Sequence, residues 1–132
     1  MRFATVIFLS VDDVVRAHAR AIVAAGGSDG IRDRGLLESA VMRAQTGYYG
    51  SLAELAAAYG HGLAKNHAFV DGNKRVAFLA ADAFLRVNGF VLTLDADKWE
   101  AIMLGVADGS VSADELAKHF AEEMGGDVPI EP

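Results

Sequence analysis

Residues 74–88, Lys-Arg-Val-Ala-Phe-Leu-Ala-Ala-Asp-Ala-Phe-Leu-Arg-Val-Asn, are the most hydrophobic helical segment of the chain. Apolar side chains lie nearly all round this predicted helix, which is typical of a helix that is buried on most sides. Asp82 and Arg86 are four residues apart, so we expect them to form an ion pair with a structural role. Asn88 and Gly89 end the helix. The segment therefore predicts a central helix against which the others pack.

Shorter amphipathic segments flank the central helix on both sides. A serine followed three residues later by an acidic residue is the spacing of a capping box, and it occurs at three predicted helix starts: Ser10/Asp13, Ser51/Glu54 and Ser112/Glu115. About six helices with short connections predict an all-α, single-domain bundle. We place this domain at residues 1–124, with a short extended segment at its N-terminus. Residues 125–132 have the composition of a disordered tail.

Composition excludes several classes of function. The chain has 132 residues, enough for one domain, and 52% of them are hydrophobic, which suffices for a core. Its net charge of −6 and lack of a basic stripe argue against nucleic-acid binding as its main task. No apolar run approaches the ~18 residues of a membrane span. Cysteine is absent, which suits a reducing compartment. These features predict a cytoplasmic protein without a membrane or nucleic-acid partner.

The reactive side chains are concentrated just before the central helix, where residues 66–75 read Asn-His-Ala-Phe-Val-Asp-Gly-Asn-Lys-Arg. A helix N-terminus presents unpaired N–H groups and a partial positive charge, so it binds anions readily. His67 can accept a proton from a hydroxyl near neutral pH and release it again. Asp71 is well placed to hold Mg²⁺ together with substrate phosphates, although capping the next helix is an alternative role. The combination suggests transfer of a phosphate-containing group.

The next residues of this loop suit a phosphate. Gly72 allows the backbone to approach a phosphate closely. Asn73 can donate from its amide, and Lys74 and Arg75 can neutralise charge that builds on transferring oxygens. We therefore take these four residues as candidates for the nucleotide and phosphate site.

Other polar residues near the loop have simpler interpretations. Lys65 and Asn66 precede it and are candidate accessory residues, while Phe69 is interpreted as a structural anchor whose burial fixes the loop. His18 lies on the apolar stripe of the first helix and is interpreted as a packed core histidine. Residues 26–30 match the G-x-S-x-G pattern of a hydrolase, but a helix precedes them instead of a strand, so we interpret them as a plain loop.

The order of residues in the loop resembles the Doc branch of the Fic/Doc family, H-x-F-x-D-(A/G)-N-K-R, and the six-helix layout is similar over most of the chain. The resemblance implies that His67 is the general base, that Asp71 binds the metal and that residues 72–75 form the phosphate site. It also implies a toxin of a toxin–antitoxin pair that transfers the γ-phosphoryl group of ATP, with Mg²⁺, to a Ser/Thr hydroxyl of a translation elongation factor.

Differences from the broader Fic pattern, H-P-F-x-x-G-N-G-R-x-x-R, bear on the reaction. Ala68 replaces the proline, Lys74 replaces the second glycine, and Phe78 stands where the last arginine would be. These changes argue against the nucleotide orientation that Fic enzymes use to transfer AMP. Adenylyl transfer of the Fic type is nevertheless one alternative, and a non-catalytic antitoxin-binding module is another.

Control of the activity is expected to come from outside the chain. The self-inhibitory Fic pattern, [S/T]-x-x-x-E-[G/N], is not found in this sequence. The resemblance then implies a separate, cognate antitoxin, which we expect to dock as a helix in a groove beside the site.

Overall fold

A computed structural model describes residues 5–93 and 95–130 of the chain. Within these residues the protein is a single-domain bundle of six α-helices, which confirms the predicted fold class. A 3₁₀ turn at Arg43–Thr46 extends the second helix. The helices are α1 (Val11–Ala25), α2 (Arg34–Met42), α3 (Leu52–Asn66), α4 (Asn73–Val87), α5 (Ala96–Asp108) and α6 (Ala113–Glu123).

The centre of the bundle is α3, and α4 lies beside it. Helix α3 packs against α2, α4, α5 and α6, whereas α4 packs against α1, α3 and α5. Small residues allow neighbours to approach α3 on several sides. A Cβ atom at Gly60 would lie 3.2 Å from Leu116 Cδ2, and one at Gly62 would lie 3.5 Å from Ala40 Cβ. The prediction that α4 is the central helix was therefore only partly right, because hydrophobicity alone did not reveal this close packing.

Helix α4 is buried along the face that carries its small and aromatic residues. Val76, Ala80 and Phe84 have no more than 1% of their surface exposed. The predicted ion pair is confirmed, since Arg86 Nη2 lies 3.2 Å from Asp82 Oδ2. Lys74 is exposed at the start of the helix. The two ends of α4 thus face solvent while its middle lies in the core.

The serine caps form as predicted, with one difference. Ser10 and Ser112 each accept from the backbone N–H three residues later, and both capping boxes are complete. Ser51 also accepts from the Glu54 N–H, at 3.2 Å. The Glu54 carboxylate, however, accepts from the N–H of Gly50 at 2.8 Å. This third box is therefore not reciprocal, because the glutamate reaches one residue further back.

The N-terminal residues run along the bundle in an extended conformation, as expected; residues 1–4 lie outside the described residues. The N–H of Ile7 donates to Asn88 Oδ1 at 2.9 Å, and Asn88 Nδ2 donates back to the Ile7 carbonyl at 2.9 Å. The N–H of Leu9 donates to the Tyr59 hydroxyl at 3.0 Å. These contacts fasten the segment to the middle of α3 and to the C-terminal end of α4.

Two features differ from expectation. The β-prone composition of residues 90–94 predicts a short strand after α4, but residues 90–93 form no strand, and Leu94 lies outside the described residues. In the segment predicted to be a disordered tail, the described part packs against the start of α3. The N–H of Leu52 donates to the Val128 carbonyl at 2.9 Å, and the N–H of Ile130 donates to the Gly50 carbonyl at 3.0 Å. Val128 and Ile130 also pack on the core, which a polar composition around them did not suggest.

None of the helices in residues 5–93 and 95–130 has the length and hydropathy that a bilayer-spanning segment requires.

Candidate functional site

The connection between α3 and α4 lies on top of the α1–α2 loop, which holds it by its backbone. The Ala68 carbonyl accepts from the N–H groups of Arg32 and Asp33, at 2.8 and 3.0 Å. The N–H of Val70 donates to the Gly30 carbonyl at 3.0 Å. Phe69 is only 1% exposed and sits in the core below. The loop is therefore fastened on both its polar and its apolar side.

His67 ends α3 in a left-handed backbone conformation, with φ 50° and ψ 46°. A non-glycine residue in this region carries a strain of about 1–3 kcal/mol, and such strain persists only where the surroundings enforce it. Arg32 Nε donates to the His67 carbonyl at 2.7 Å, which helps to hold this conformation. The His67 side chain is exposed. The imidazole is thus presented to solvent from a firmly held backbone.

Asp71 is exposed, and both of its carboxylate oxygens accept a backbone hydrogen bond. Oδ1 accepts from the N–H of Gly72 at 2.9 Å, and Oδ2 accepts from the N–H of Ser28 at 3.2 Å. These hydrogen bonds, the Gly72 one above all, hold the pKa of Asp71 below its ordinary value. The carboxylate is therefore ionised at neutral pH, and each oxygen keeps a lone pair for another partner.

The first turn of α4 has no side-chain cap. Its N-cap residue is Gly72, in the left-handed region at φ 74°, and no side chain bonds to the turn. Asp71 therefore does not cap α4, because its carboxylate bonds to the N-cap N–H itself. The N–H groups of Asn73, Lys74 and Arg75 have no acceptor within the described part of the chain. These free N–H groups lie next to an ionised carboxylate that faces solvent.

The Asn73 amide is used mainly to close the loop. Its Oδ1 accepts from the N–H of Phe69 at 3.0 Å, and its Nδ2 donates to the Phe69 carbonyl at 3.0 Å. Only one amide hydrogen then remains for a ligand. Lys74 and Arg75 are exposed, and neither belongs to an ion pair with any of the residues described. The two cations are therefore available to bind an anion, while the Asn73 amide bonds mainly to the backbone of Phe69.

The two candidate accessory residues have other neighbours. Asn66 Nδ2 donates to the Leu36 carbonyl at 3.3 Å, so this side chain connects α3 to α2. Lys65 Nζ lies where α5 ends, 3.7 Å from the position that a Cβ atom of Gly109 would take. Both contacts are to neighbouring helices and not to the loop residues themselves.

One residue that the sequence did not assign to the site touches the loop directly. The His18 ring stacks on the Phe69 ring with 3.9 Å between centroids and 9° between planes. Its Nε2 lies 2.7 Å from the Asp71 carbonyl oxygen, and because a carbonyl only accepts, Nε2 carries the hydrogen. His18 is 2% exposed, as expected of a core histidine. The contact joins residues 53 positions apart, and no local spacing signals it.

A metal at this site would need ligands from outside the protein. The described residues include no group of three or more His, Cys, Asp or Glu side chains arranged to hold a metal ion. A single ionised carboxylate with free lone pairs fits Mg²⁺, which commonly binds one or two carboxylates together with substrate phosphates and water. The donor set therefore suits a magnesium ion shared with a nucleotide, and Asp71 would be its protein ligand.

Comparison with known proteins identifies the family of the chain. The model of the Fic/DOC family matches residues 8–85. The chain is 41% identical over 121 residues to Toxin Doc of Mycolicibacterium smegmatis, covering 86% of this chain and 91% of that protein. It is 32% identical over 113 residues to Protein kinase doc of Escherichia phage P1, covering 83% and 89%. With the motif loop and the six-helix bundle in place, the chain belongs to the Fic/DOC family.

Proposed function

We propose that this protein is a Doc-type toxin and a protein kinase, which transfers the γ-phosphoryl group of ATP to a Ser/Thr hydroxyl of another protein. The observation that carries the proposal is the uncapped start of α4 beside Asp71 and His67. Free N–H groups at a helix N-terminus favour a bound phosphate, and the carboxylate favours a cation on that phosphate. The names of the two relatives, a toxin and a protein kinase, support the same reaction.

The proposed mechanism is an in-line displacement. The hydroxyl oxygen of the target bonds to the γ-phosphorus as the bond to the β–γ bridging oxygen breaks, and ADP leaves with that electron pair. His67 accepts the hydroxyl proton and later releases it to solvent. Lys74, Arg75 and the free N–H groups of α4 neutralise charge on the phosphate oxygens. Mg²⁺, held by Asp71, would supply further positive charge to the phosphates when bound.

Phosphoryl transfer is favoured over adenylyl transfer by two side chains. Lys74 is exposed at the start of α4, where the broader Fic pattern has a glycine that leaves room for phosphate. Phe78, at the position of the last Fic arginine, packs against Trp99 with 5.1 Å between ring centroids. The guanidinium of the Fic pattern is thus replaced by an aromatic ring that packs against the core. This replacement removes a ligand for the inner phosphates.

Regulation by a cognate antitoxin is part of the proposal. A groove of about 580 Å³ runs between the N-terminal segment, α1 and α4, and Ile7, Phe8 and Val87 expose apolar surface along it. Asp82 lines the groove, and its buried Oδ1 has no hydrogen-bond partner within the described residues. An amphipathic helix with one donor group would fit such a surface. The groove reaches Leu79, about 10 Å along α4 from the motif loop.

The target that we propose is a translation elongation factor, which places the protein in the cytoplasm. This part rests on the resemblance of the motif loop to the Doc branch.

The test is a transfer assay with the purified protein, cell lysate and Mg²⁺, in which ATP carries the label at either the γ- or the α-phosphate. We expect the γ-label to reach a protein band and the α-label to remain on nucleotide. Transfer of the α-label would instead favour adenylyl transfer. If neither label is transferred while an antitoxin still binds the groove, the chain is a non-catalytic binding module.

A further inference from the structure

We propose that α1 and the loop after it set the orientation of the Asp71 carboxylate, with His18, Gly27 and Ser28 as positioning residues. The proposal rests on the function proposed above, in which Asp71 holds Mg²⁺. It assigns a role to a buried histidine and to a glycine-rich loop that the phosphate chemistry does not use directly.

The first part of the arrangement is a relay of two hydrogen bonds through one peptide group. His18 Nε2–H donates to the carbonyl of Asp71 at 2.7 Å. The same peptide group continues to the N–H of Gly72, which donates to Asp71 Oδ1 at 2.9 Å. His18 therefore fixes the plane of the peptide whose N–H holds the carboxylate. Hydrogen bonds arranged in series polarise one another, and burial of His18 keeps water from competing for the first of them.

Stacking restricts the histidine ring. Its plane lies 9° from that of Phe69, and the ring centroids are 3.9 Å apart. Phe69 is itself held in the core, so stacking restricts the plane of the His18 ring, and in this plane Nε2 points at the Asp71 carbonyl. Packing and hydrogen bonding thus specify the same geometry, which is the usual function of the groups that surround a metal ligand.

The second part is the approach of the α1–α2 loop to the other carboxylate oxygen. The N–H of Ser28 donates to Asp71 Oδ2 at 3.2 Å. A Cβ atom at Gly27 would lie 2.6 Å from the same oxygen, closer than real Cβ contacts allow. A side chain at residue 27 would therefore rotate the carboxylate away from Ser28. The backbone of Gly27 is also left-handed, at φ 112°.

The neighbouring glycine provides a matched control. Gly26 also has a positive φ, at 79°, but a Cβ atom there would meet nothing within 4 Å. Alanine at either position carries the backbone strain of a residue with positive φ. Only alanine at position 27 also collides with Asp71. Comparing the two variants therefore distinguishes the effect of moving the Asp71 carboxylate from the effect of lower stability, which both variants share.

The experiment measures the Mg²⁺ concentration at half-maximal γ-phosphoryl transfer, and the Mg²⁺ midpoint in the presence of ADP from the amide NMR signal of Gly72. For Gly27→Ala we expect both midpoints to rise by at least about 10-fold, the usual effect of losing a group that orients a metal ligand. For Gly26→Ala both should stay within about 2-fold of the parent, which is less than 0.5 kcal/mol. At saturating Mg²⁺ the turnover of Gly27→Ala should recover, since His67 is untouched. A general structural defect would lower turnover at every Mg²⁺ concentration.

A second variant tests the same proposal if Gly27→Ala does not fold. His18→Phe keeps an aromatic ring beside Phe69 but removes the Nε2–H donor, and we expect its Mg²⁺ midpoint to rise as well. Parental midpoints in folded Gly27→Ala and His18→Phe would overturn the positioning role while leaving the kinase proposal intact. A parent protein whose Gly72 signal and transfer rate do not respond to Mg²⁺ would instead overturn the metal role of Asp71.

Discussion

Helices α4 and α6 begin in opposite ways, and the difference favours the start of α4 as the proposed phosphate site. At the start of α6, Ser112 and Glu115 form a complete capping box, and acidic residues occupy the first turn. At the start of α4 the N-cap is a glycine without a capping side chain, and the first turn carries Lys74 and Arg75. Cations at a helix N-terminus oppose the helix dipole, so α4 gives up stability that α6 retains. A bound phosphate would remove this conflict.

The largest effect that tests this comparison is expected at His67, beside the uncapped helix. His67→Ala should lower γ-phosphoryl transfer by a factor of about 10²–10⁴, because the attacking hydroxyl would lose its proposed general base. Initial rates with γ-labelled ATP measure this loss, and circular dichroism checks the fold. His67→Asn serves as a companion, since asparagine tolerates the left-handed backbone. If both variants are folded and as active as the parent, His67 is not the base.

A smaller effect is expected at the first turn of α4, where one substitution should increase the stability of the apo protein and decrease its affinity for ATP. Lys74→Glu should stabilise the apo protein by about 0.3–1 kcal/mol, because an acidic residue suits a helix N-terminus. The same change should weaken ATP binding by about 10-fold or more, because it places a negative charge beside the phosphates. Chemical denaturation and calorimetric titration measure the two quantities. Tighter ATP binding in this variant would show that the phosphates bind elsewhere.

Substitution of the α6 cap should change only the stability of the protein. Ser112→Ala removes the side-chain oxygen that accepts from the N–H of Glu115 at 3.1 Å. The expected loss is about 1 kcal/mol of the free energy of unfolding, measured by urea denaturation. The rate of γ-phosphoryl transfer and the affinity for ATP should not change. A marked loss of activity in this variant would contradict the proposal that the start of α4 binds the ligand while the start of α6 contributes only to stability.

The smallest effect concerns pH and the carboxylate of the α6 cap. Hydrogen bonds from Ser112, the backbone one first, lower the pKa of Glu115 below its ordinary value of 4.5. A lowered pKa in the folded state means that this contribution to stability is fully present above about pH 4.5 and is lost as the pH falls through the folded-state pKa. Urea denaturation of the parent and of Glu115→Gln at pH 7 and pH 3 tests this. The difference in unfolding free energy should shrink at the lower pH, and an unchanged difference would contradict it.

Local features of the fold could be predicted from the sequence because they depend on neighbouring residues. The serine caps of α1 and α6 and the Asp82–Arg86 ion pair join residues three or four positions apart. Their geometry follows from the helix repeat alone. The motif loop was recognisable for the same reason, since its side chains lie within ten consecutive positions.

Features that depend on long-range packing could not be predicted in this way. The rank of α3 as the centre of the bundle depends on glycine and alanine contacts with several helices. The contacts of Val128 and Ile130 with the start of α3 join the C-terminal segment to the middle of the chain. The hydrogen bond between His18 and Asp71 likewise joins α1 to the motif loop. No period or spacing in the sequence encodes such pairs.

Taken alone, the sequence determined that the chain is all-α, where most helices begin, and which loop carries the candidate histidine, the carboxylate and the cations. Helix periodicity and capping depend on residues a few positions apart, so these properties can be predicted from the sequence. Only the tertiary structure decided that Asp71 has both oxygens held, that Asn73 closes its own loop and that His18 lies beneath it. The directions of these side chains depend on which helices pack together, and that packing is a property of the whole chain.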